Sequence, residues 1–292
     1  MGSVSLSEDQ VRILCTESAP RVEQLRASLR AHGSALIAFS GGVDSTLVLK
    51  FAVEELGEKA VALTAISASV APDEADEARE LAKKIGARHV LVDSKELDDP
   101  RYAANPSNRC YFCKSELYSI TDKHKASLGL AVVLDGFNAD DKKDHRPGHQ
   151  AAREHQVRSP LAEAQLTKNE VRAWSHRLGL PTWDKPQMAC LASRLPYGTQ
   201  VTVERLKQIG QAERAVRALG FQNFRVRYHQ DVARLEVSGD ELPRLLDPAT
   251  RSQVNAAIKA QGFTFVALDL EPFRSGRLND ALKSGVSLPV VS

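Results

Sequence analysis

Three cysteines are the residues whose type and spacing point first to chemistry. Cys110 and Cys113 stand in the run Arg109-Cys110-Tyr111-Phe112-Cys113-Lys114, and Cys190 lies in the irregular stretch Lys185–Arg194. At the start of a helix, this spacing puts both thiols of the pair on one side, close enough to share a metal. The thiolate is the nucleophilic and metal-binding form, and the neighbouring Arg109 and Lys114 are expected to favour it. A CxxC pair alone reads equally as a redox couple, half of a metal site or two inert thiols. Cys190 makes the set three. A structural zinc site closes with four ligands, which His89, His145 or His149 could complete. An iron–sulfur cube on three thiolates leaves one iron open for an outside ligand such as a labile sulfide. Both readings stand at this point. Cys15, on an amphipathic N-terminal helix, is expected to be an inert packing or surface residue.

The second constellation is Ser40-Gly41-Gly42-Val43-Asp44-Ser45, which follows an apolar run and opens a helical one. Two glycines let backbone amides turn toward an anion. A helix N-terminus adds unpaired N–H groups and the positive end of a dipole. Ser40 and Ser45 can donate hydroxyl hydrogen bonds to phosphate oxygens. The loop lacks the Gly-Lys-Ser/Thr ending of a Walker A motif, so γ-phosphate transfer by a P-loop enzyme is not implied.

The elements that must position these residues follow from the patterning. Strand-like runs at Ser34–Phe39, Ala60–Ile66, His89–Asp93 and Ala131–Leu134 alternate with helical runs at Thr46–Leu56, Asp73–Ile85 and Lys114–Leu128. That alternation predicts an α/β fold, a parallel sheet with helices on both faces. Phe137–His149 reads as a mobile loop. Thr167 with Glu170 is a capping box for a helix to Leu178. Asp184–Gly198 has no clean periodicity and reads as a site loop and domain boundary. Beyond it, helices at Val203–Leu219, Glu241–Leu246 and Thr250–Gln261 join strands at Phe224–Tyr228, Ala233–Val237 and Phe263–Asp269. These predict a smaller α+β domain. Ala233–Val237 alternates as a half-buried strand should. The expected division is 1–190 and 191–292.

Composition narrows the function classes. The chain has 292 residues, 39 Lys and Arg against 37 Asp and Glu, and 42% hydrophobic residues. This is ordinary globular composition, with no collagen, disordered or cystine-rich signature. A net charge of +2 with 5% aromatics gives no basic nucleic-acid surface. No apolar run approaches the roughly 20 residues of a membrane helix. The polar N-terminus carries no secretory pattern, so a cytoplasmic, reducing location is the expectation.

The Ser40–Ser45 loop resembles the PP-loop of the ATP pyrophosphatases, which cleave ATP between the α- and β-phosphates and adenylate a substrate. By that resemblance, Ala65 and Ser67 at the end of the second strand read the adenine. The motifs taken together resemble the LarE family, ATP-dependent sulfur transferases of nickel-pincer cofactor synthesis. They are Ser40–Ser45, Cys110–Tyr118, Asp135–Asp140, Ser159-Pro160-Leu161, Asp184-Lys185-Pro186, Cys190–Gly198 and Phe224–Arg227, in that order. The resemblance implies adenylation of a carboxylate on a pyridinium dicarboxylate mononucleotide, then displacement of AMP by sulfur to give a thiocarboxylate. Some members give up the sulfur of one cysteine, which becomes dehydroalanine, and Cys190 stands at that position. Others hold a [4Fe–4S] cluster on three cysteines, and Cys110, Cys113 and Cys190 match that kind. A homo-oligomer is implied as well. A PP-loop tRNA thiolase is the alternative.

The remaining candidates fit this chemistry. Arg225 and Arg227 lie two apart on one strand face and suit a substrate phosphate. Glu213, Asp240 and Glu241 are hard oxygen ligands for the Mg²⁺ that accompanies ATP. Arg194 is expected to bridge the cysteine loop to the nucleotide, Asp44 to take part in the ATP chemistry, and Asp140 to reach the nucleotide from the loop after the fourth strand.

Overall fold

The computed structural model describes residues 6–70, 72–143, 148–186 and 189–283. The helices are α1 (Glu8–His32), α2 (Val43–Leu56), α3 (Pro72–Ile85), α4 (Pro100–Ala103), α5 (Arg109–Ser127), α6 (Gly148–Glu154), α7 (Pro160–Glu163), α8 (Lys168–Arg177), α9 (Val203–Ala218), α10 (Pro248–Lys259) and α11 (Asp280–Lys283). The strands are β1 (Ala35–Ala38), β2 (Ala60–Ile66), β3 (Arg88–Asp93), β4 (Val132–Leu134), β5 (Phe224–His229), β6 (Val232–Val237) and β7 (Phe265–Leu268).

The first sheet runs β3-β2-β1-β4, and all its pairs are parallel. Successive side chains of a strand point to opposite faces, and here each face meets its own helices. Ile37 and Ala62 join the core formed with α1, α2 and α8, whereas Leu36, Val61 and Leu63 join the one formed with α5 and α6. The expected α/β layering is therefore present. In a parallel sheet all the carboxyl ends lie on one edge. Strand order reverses between β1 and β4, and ligands of open α/β sheets bind at such a switch point. The Ser40–Ser45 loop, Ser67 and Gly136 all leave the sheet on that edge.

The second sheet runs β5-β6-β7, with β5 and β6 antiparallel and β7 parallel to β6. Its core, filled by α9, α10 and the three strands, also takes in Tyr102, Phe112, Leu191, Ala192 and Leu195. The start of α5 and the cysteine loop are thus fastened to the same apolar mass. Backbone bonds tie these parts together: Leu191 N–H donates to Ser69 O (2.9 Å), Gly198 N–H to Asn105 O (2.9 Å) and Val201 N–H to Ala103 O (2.8 Å).

Three expectations change. Helix α5 starts at Arg109 rather than Lys114, so both CxxC thiols lie on its first turns. The stretch read as a mobile loop contains a 3-10 turn at Asp140–Lys143 and the start of α6, whose Ala151 and Ala152 are buried. His145 of that stretch lies outside the described residues. Strand β6 is not half-exposed. Glu236, on its polar face, is fully buried because arginines cover it.

Candidate active site

The Ser40–Ser45 turn has the build expected of an anion cradle. Gly41 adopts φ +68°, a left-handed conformation that disfavours side chains, and an added Cβ there would meet Ala78 of α3 at 3.4 Å. Gly42 caps α2 without a side-chain partner, which leaves the helix-start amides available. The Ser40 and Ser45 hydroxyls lie 3.1 Å apart. Asp44 is held from two sides, by an ion pair with Lys168 Nζ and by the Asn138 amide at 3.1 Å. Asp140 accepts from the Lys168 N–H at 2.8 Å. Lys185 Nζ donates to Gly41 O (3.4 Å) and pairs with Glu77 (2.8 Å). Two lysines therefore stand beside the cradle, one at each end of the turn.

Sequence reasoning missed Lys168, Asn138 and Gly136 as parts of this site. A Cβ on Gly136 would lie 2.8 Å from Ser45 N, so the loop after β4 touches the cradle directly. The sequence signals for it are a glycine just past a strand and its place in the Asp135–Asp140 motif.

The second strand end points elsewhere in part. Ser67 Oγ donates to Glu96 Oε1 (2.8 Å), and Cys113 Sγ donates to Glu96 Oε2 (3.0 Å). Glu96 is buried and links the proposed adenine end to the cysteines. Ala65, two positions before Ser67, is half-buried.

The three cysteines share one neighbourhood. Arg109 is buried and donates from Nη1 to Ala192 O (2.9 Å) and to Asn105 Oδ1, and from Nη2 toward Cys190 Sγ (3.9 Å). Cys113 and Cys190 pack against the same core. Cys110 and Cys113 both lie within electrostatic reach of Cys190. The expectation that Arg109 and Lys114 would favour thiolates is not met. Cys110 is an exposed residue, yet desolvation around its thiol outweighs both cations and raises it, and burial pushes Cys113 well up with Glu96 adding to the effect. Cys15 is fully buried among Val11, Ala173 and Trp174, so it is a packing residue.

Among the described residues, no group of three or more His, Cys, Asp or Glu side chains is arranged to hold a metal ion. His89 hydrogen-bonds Thr64 Oγ1 (2.8 Å) and His149 stacks on Phe137 at 4.1 Å, so neither is drawn to the cysteines. The three Mg²⁺ candidates do not come together either. Glu213 pairs with Arg194 (2.8 Å) and accepts from Val226 N–H (3.1 Å). Glu241 accepts from the Gln222 and Asn223 N–H groups (2.8 and 2.9 Å). Asp240 is exposed.

Arg194 is buried and spends its donors on Glu213 and on the Ala189 and Cys190 carbonyls, Cys190 at 3.0 Å. It shapes the cysteine loop. The Arg194–Glu213 pair is a buried ion pair, and breaking one typically costs about 3–5 kcal/mol. Arg194 holds the Glu213 carboxyl below its ordinary value against the opposing effect of burial. A depressed carboxyl stabilises the fold fully above its unfolded pKa of about 4.3, and that contribution fades as pH falls toward the folded value. Glu213→Gln is therefore expected to lower stability at pH 7 by about 3 kcal/mol and to flatten the acid limb, as urea unfolding at pH 7 and pH 4 would record. A wild-type midpoint at pH 7 would contradict this.

Arg225 and Arg227 are buried rather than exposed. Arg227 pairs with Glu236 (2.9 Å) and donates to Ser193 O (2.8 Å). Arg225 donates to Phe224 O (2.7 Å). Burial and the nearby Arg194, Arg227 and Arg217 push its pKa down to about 10, with Glu213 opposing them. Glu74, on the first turn of α3, is a further missed residue. Burial raises its carboxyl, and it lies within electrostatic reach of both Lys185 and Arg194.

Comparison with known proteins adds independent findings. The asparagine synthase family model matches residues 22–140, the stretch holding the parallel sheet and the cradle. The chain is 47% identical over 262 residues to an uncharacterized protein of Synechocystis sp., covering 90% of this chain and 98% of the relative. It is 39% identical over 265 residues to the pyridinium-3,5-bisthiocarboxylic acid mononucleotide synthase of Lactiplantibacillus plantarum, covering 90% and 95%. It is 28% identical over 240 residues to an uncharacterized protein of Methanocaldococcus jannaschii, covering 82% and 90%.

Proposed function

Because the chain belongs to the LarE family of PP-loop, ATP-dependent sulfur transferases, we propose that it converts a carboxylate of a pyridinium-3,5-dicarboxylate mononucleotide to a thiocarboxylate. The observation that carries the substrate assignment is the cluster of guanidinium groups around Arg225, namely Arg194, Arg217 and Arg227, which outnumber the two carboxylates paired with them, Glu213 and Glu236. A nucleotide phosphate would neutralise that surplus, and paired arginines bind phosphate in a bidentate manner.

The chemistry runs in two steps. A substrate carboxylate oxygen attacks the ATP α-phosphorus, and pyrophosphate leaves. The Ser40–Ser45 amides and hydroxyls hold the departing phosphates, with Lys168 and Lys185 beside them. A sulfur nucleophile then attacks the acyl carbon, and AMP leaves. Adenylation is needed because a free carboxylate is a poor electrophile.

Cys110, Cys113 and Cys190 are the residues that would hold a [4Fe–4S] cluster: Cys110 and Cys113 lie within electrostatic reach of Cys190, with the Arg109 cation beside them, although the described residues do not set three such ligands around one ion. When bound, the cluster supplies sulfide to the second step. Sacrifice of the Cys190 sulfur alone is the second reading, favoured by the placement of Cys190 on a loop that Arg194 shapes. Glu213, Asp240 and Glu241 do not fit a Mg²⁺ site, and no step is assigned to them. The reading includes a cytoplasmic, homo-oligomeric protein, and no helix among the described residues is long and apolar enough to cross a membrane.

Arg225→Ala or Arg227→Ala is expected to raise the substrate KM more than the ATP KM. A hydrogen bond to a charged group contributes about 1.5–3 kcal/mol, which predicts a loss of about 10- to 150-fold. Steady-state pyrophosphate release with each ligand varied in turn measures it. Equal losses for ATP and substrate would move the arginines to the nucleotide.

A further inference from the structure

The chain beyond β7 turns back over the arginine pair. Asp269 N–H donates to Leu235 O (2.9 Å), and Phe273 N–H donates to Val237 O (2.7 Å), so the segment runs on beside β6. The Phe273 ring stacks on the Arg225 guanidinium at 4.6 Å. Arg277 Nη1 lies 3.7 Å from Glu236, the same buried carboxylate that holds Arg227 at 2.9 Å. Arg277 is itself fixed by Asp269 (2.8 Å) and Glu271 (3.2 Å). At the far end, Tyr197 Oη donates to Asn279 Oδ1 (2.9 Å). Tyr197 belongs to the cysteine loop and lies within electrostatic reach of Cys110 and Cys190.

Two backbone bonds anchor the segment on the core residues Leu235 and Val237, whereas its side chains Phe273, Arg277 and Asn279 contact Arg225, Glu236 and Tyr197. Phe273 is absent from the second core, and Leu270 beside it is 93% exposed. A segment kept only for packing would bury its apolar side chains. Instead its one aromatic ring lies against a guanidinium. Such a contact fixes the plane of that group.

We propose that residues 270–279 form a positioning strap for the substrate phosphate, in which Phe273 sets the plane of Arg225 and Arg277, through Glu236, sets Arg227. The proposal rests on the assignment of these two arginines to the substrate. Phe273 and Arg277 are positioning residues and touch no reacting atom.

The test compares Phe273→Ala, Phe273→Tyr, Arg277→Gln and Arg225→Ala in the full-length protein. Pyrophosphate release is followed with the pyridinium-3,5-dicarboxylate mononucleotide and with ATP varied separately. A cation–π contact predicts a rise in substrate KM of about 3- to 10-fold for Phe273→Ala, with the ATP KM changed less than about twofold. Phe273→Tyr keeps a ring and should restore the substrate KM, and Arg277→Gln should raise it as Phe273→Ala does. The strap proposal fails alone if Arg225→Ala raises the substrate KM while Phe273→Ala and Arg277→Gln do not. It also fails if the two KM values rise together, since general destabilisation would do that. If Arg225→Ala leaves the substrate KM unchanged, the phosphate assignment fails and the strap fails with it.

Discussion

Replacing Cys190 by alanine is expected to abolish thiocarboxylate formation while leaving substrate-dependent pyrophosphate release intact. Cys190 lies at the start of the 3-10 turn Leu191–Arg194, and its carbonyl accepts from Arg194 Nη1 at 3.0 Å. Its backbone geometry is therefore set by the arginine and not by the thiol, so the loop should survive loss of the sulfur. The phosphate cradle is built from Ser40–Ser45, Asn138, Lys168 and Lys185, none of which bonds the Cys190 side chain. Loss of a group that acts as or carries the nucleophile typically costs a thousandfold or more, about 4 kcal/mol or above in barrier height. Product analysis by mass spectrometry, run beside a pyrophosphate assay, separates the two half-reactions. The same result in Cys110→Ala and Cys113→Ala supports a shared cluster. Activity in both of those with none in Cys190→Ala would establish the sacrificial reading instead. Cys15→Ala should leave both half-reactions unchanged.

Gly136→Val is expected to eliminate adenylation itself. Even a methyl group at this position would sit 2.8 Å from Ser45 N and 3.1 Å from the Asp44 Cβ, inside van der Waals contact. The loop after β4 would have to withdraw from the cradle. Asn138, which donates to Asp44 at 3.1 Å, would withdraw with it. Displacement of a positioning group by about 1 Å can cost on the order of 100-fold in rate. Overpacking also destabilises by about 1–3 kcal/mol, so a melting curve must accompany the assay. Pyrophosphate release within about twofold of wild type from a folded Gly136→Val protein would remove the contact from the mechanism.

Local signals in the sequence locate most of the sheet and its loops. The Thr167–Glu170 capping box is present with both of its hydrogen bonds, because it is written in residues three apart. Strand β2 is predicted to the residue, since a seven-residue, mostly apolar run bounded by polar residues is too short for a helix and fits a strand buried on both faces. The start of α5 is less legible. Asn108 makes no side-chain cap, and nothing in Arg109–Cys113 announces a helix. The polar face of β6 misleads for a different reason. Alternation says that Glu236 faces outward, but its partners Arg227, Arg234 and Arg277 come from β5, from β6 itself and from the strap. Burial of a paired charge depends on distant residues, and periodicity carries no information about them. The Lys168–Asp44 pair is hidden in the same way, its members standing 124 positions apart. The depressed-thiolate expectation fails because adjacent cations in sequence say nothing about how deeply a thiol is buried.

Quantified turnover of pyridinium-3,5-dicarboxylate mononucleotide with ATP and a sulfide source, under anaerobic conditions, tests the central claim most directly. AMP, pyrophosphate and a pyridinium thiocarboxylate are expected to appear together in equal amounts, and none is expected when the pyridinium substrate is left out. Release of ADP and phosphate, or pyrophosphate release independent of the pyridinium substrate, would contradict it.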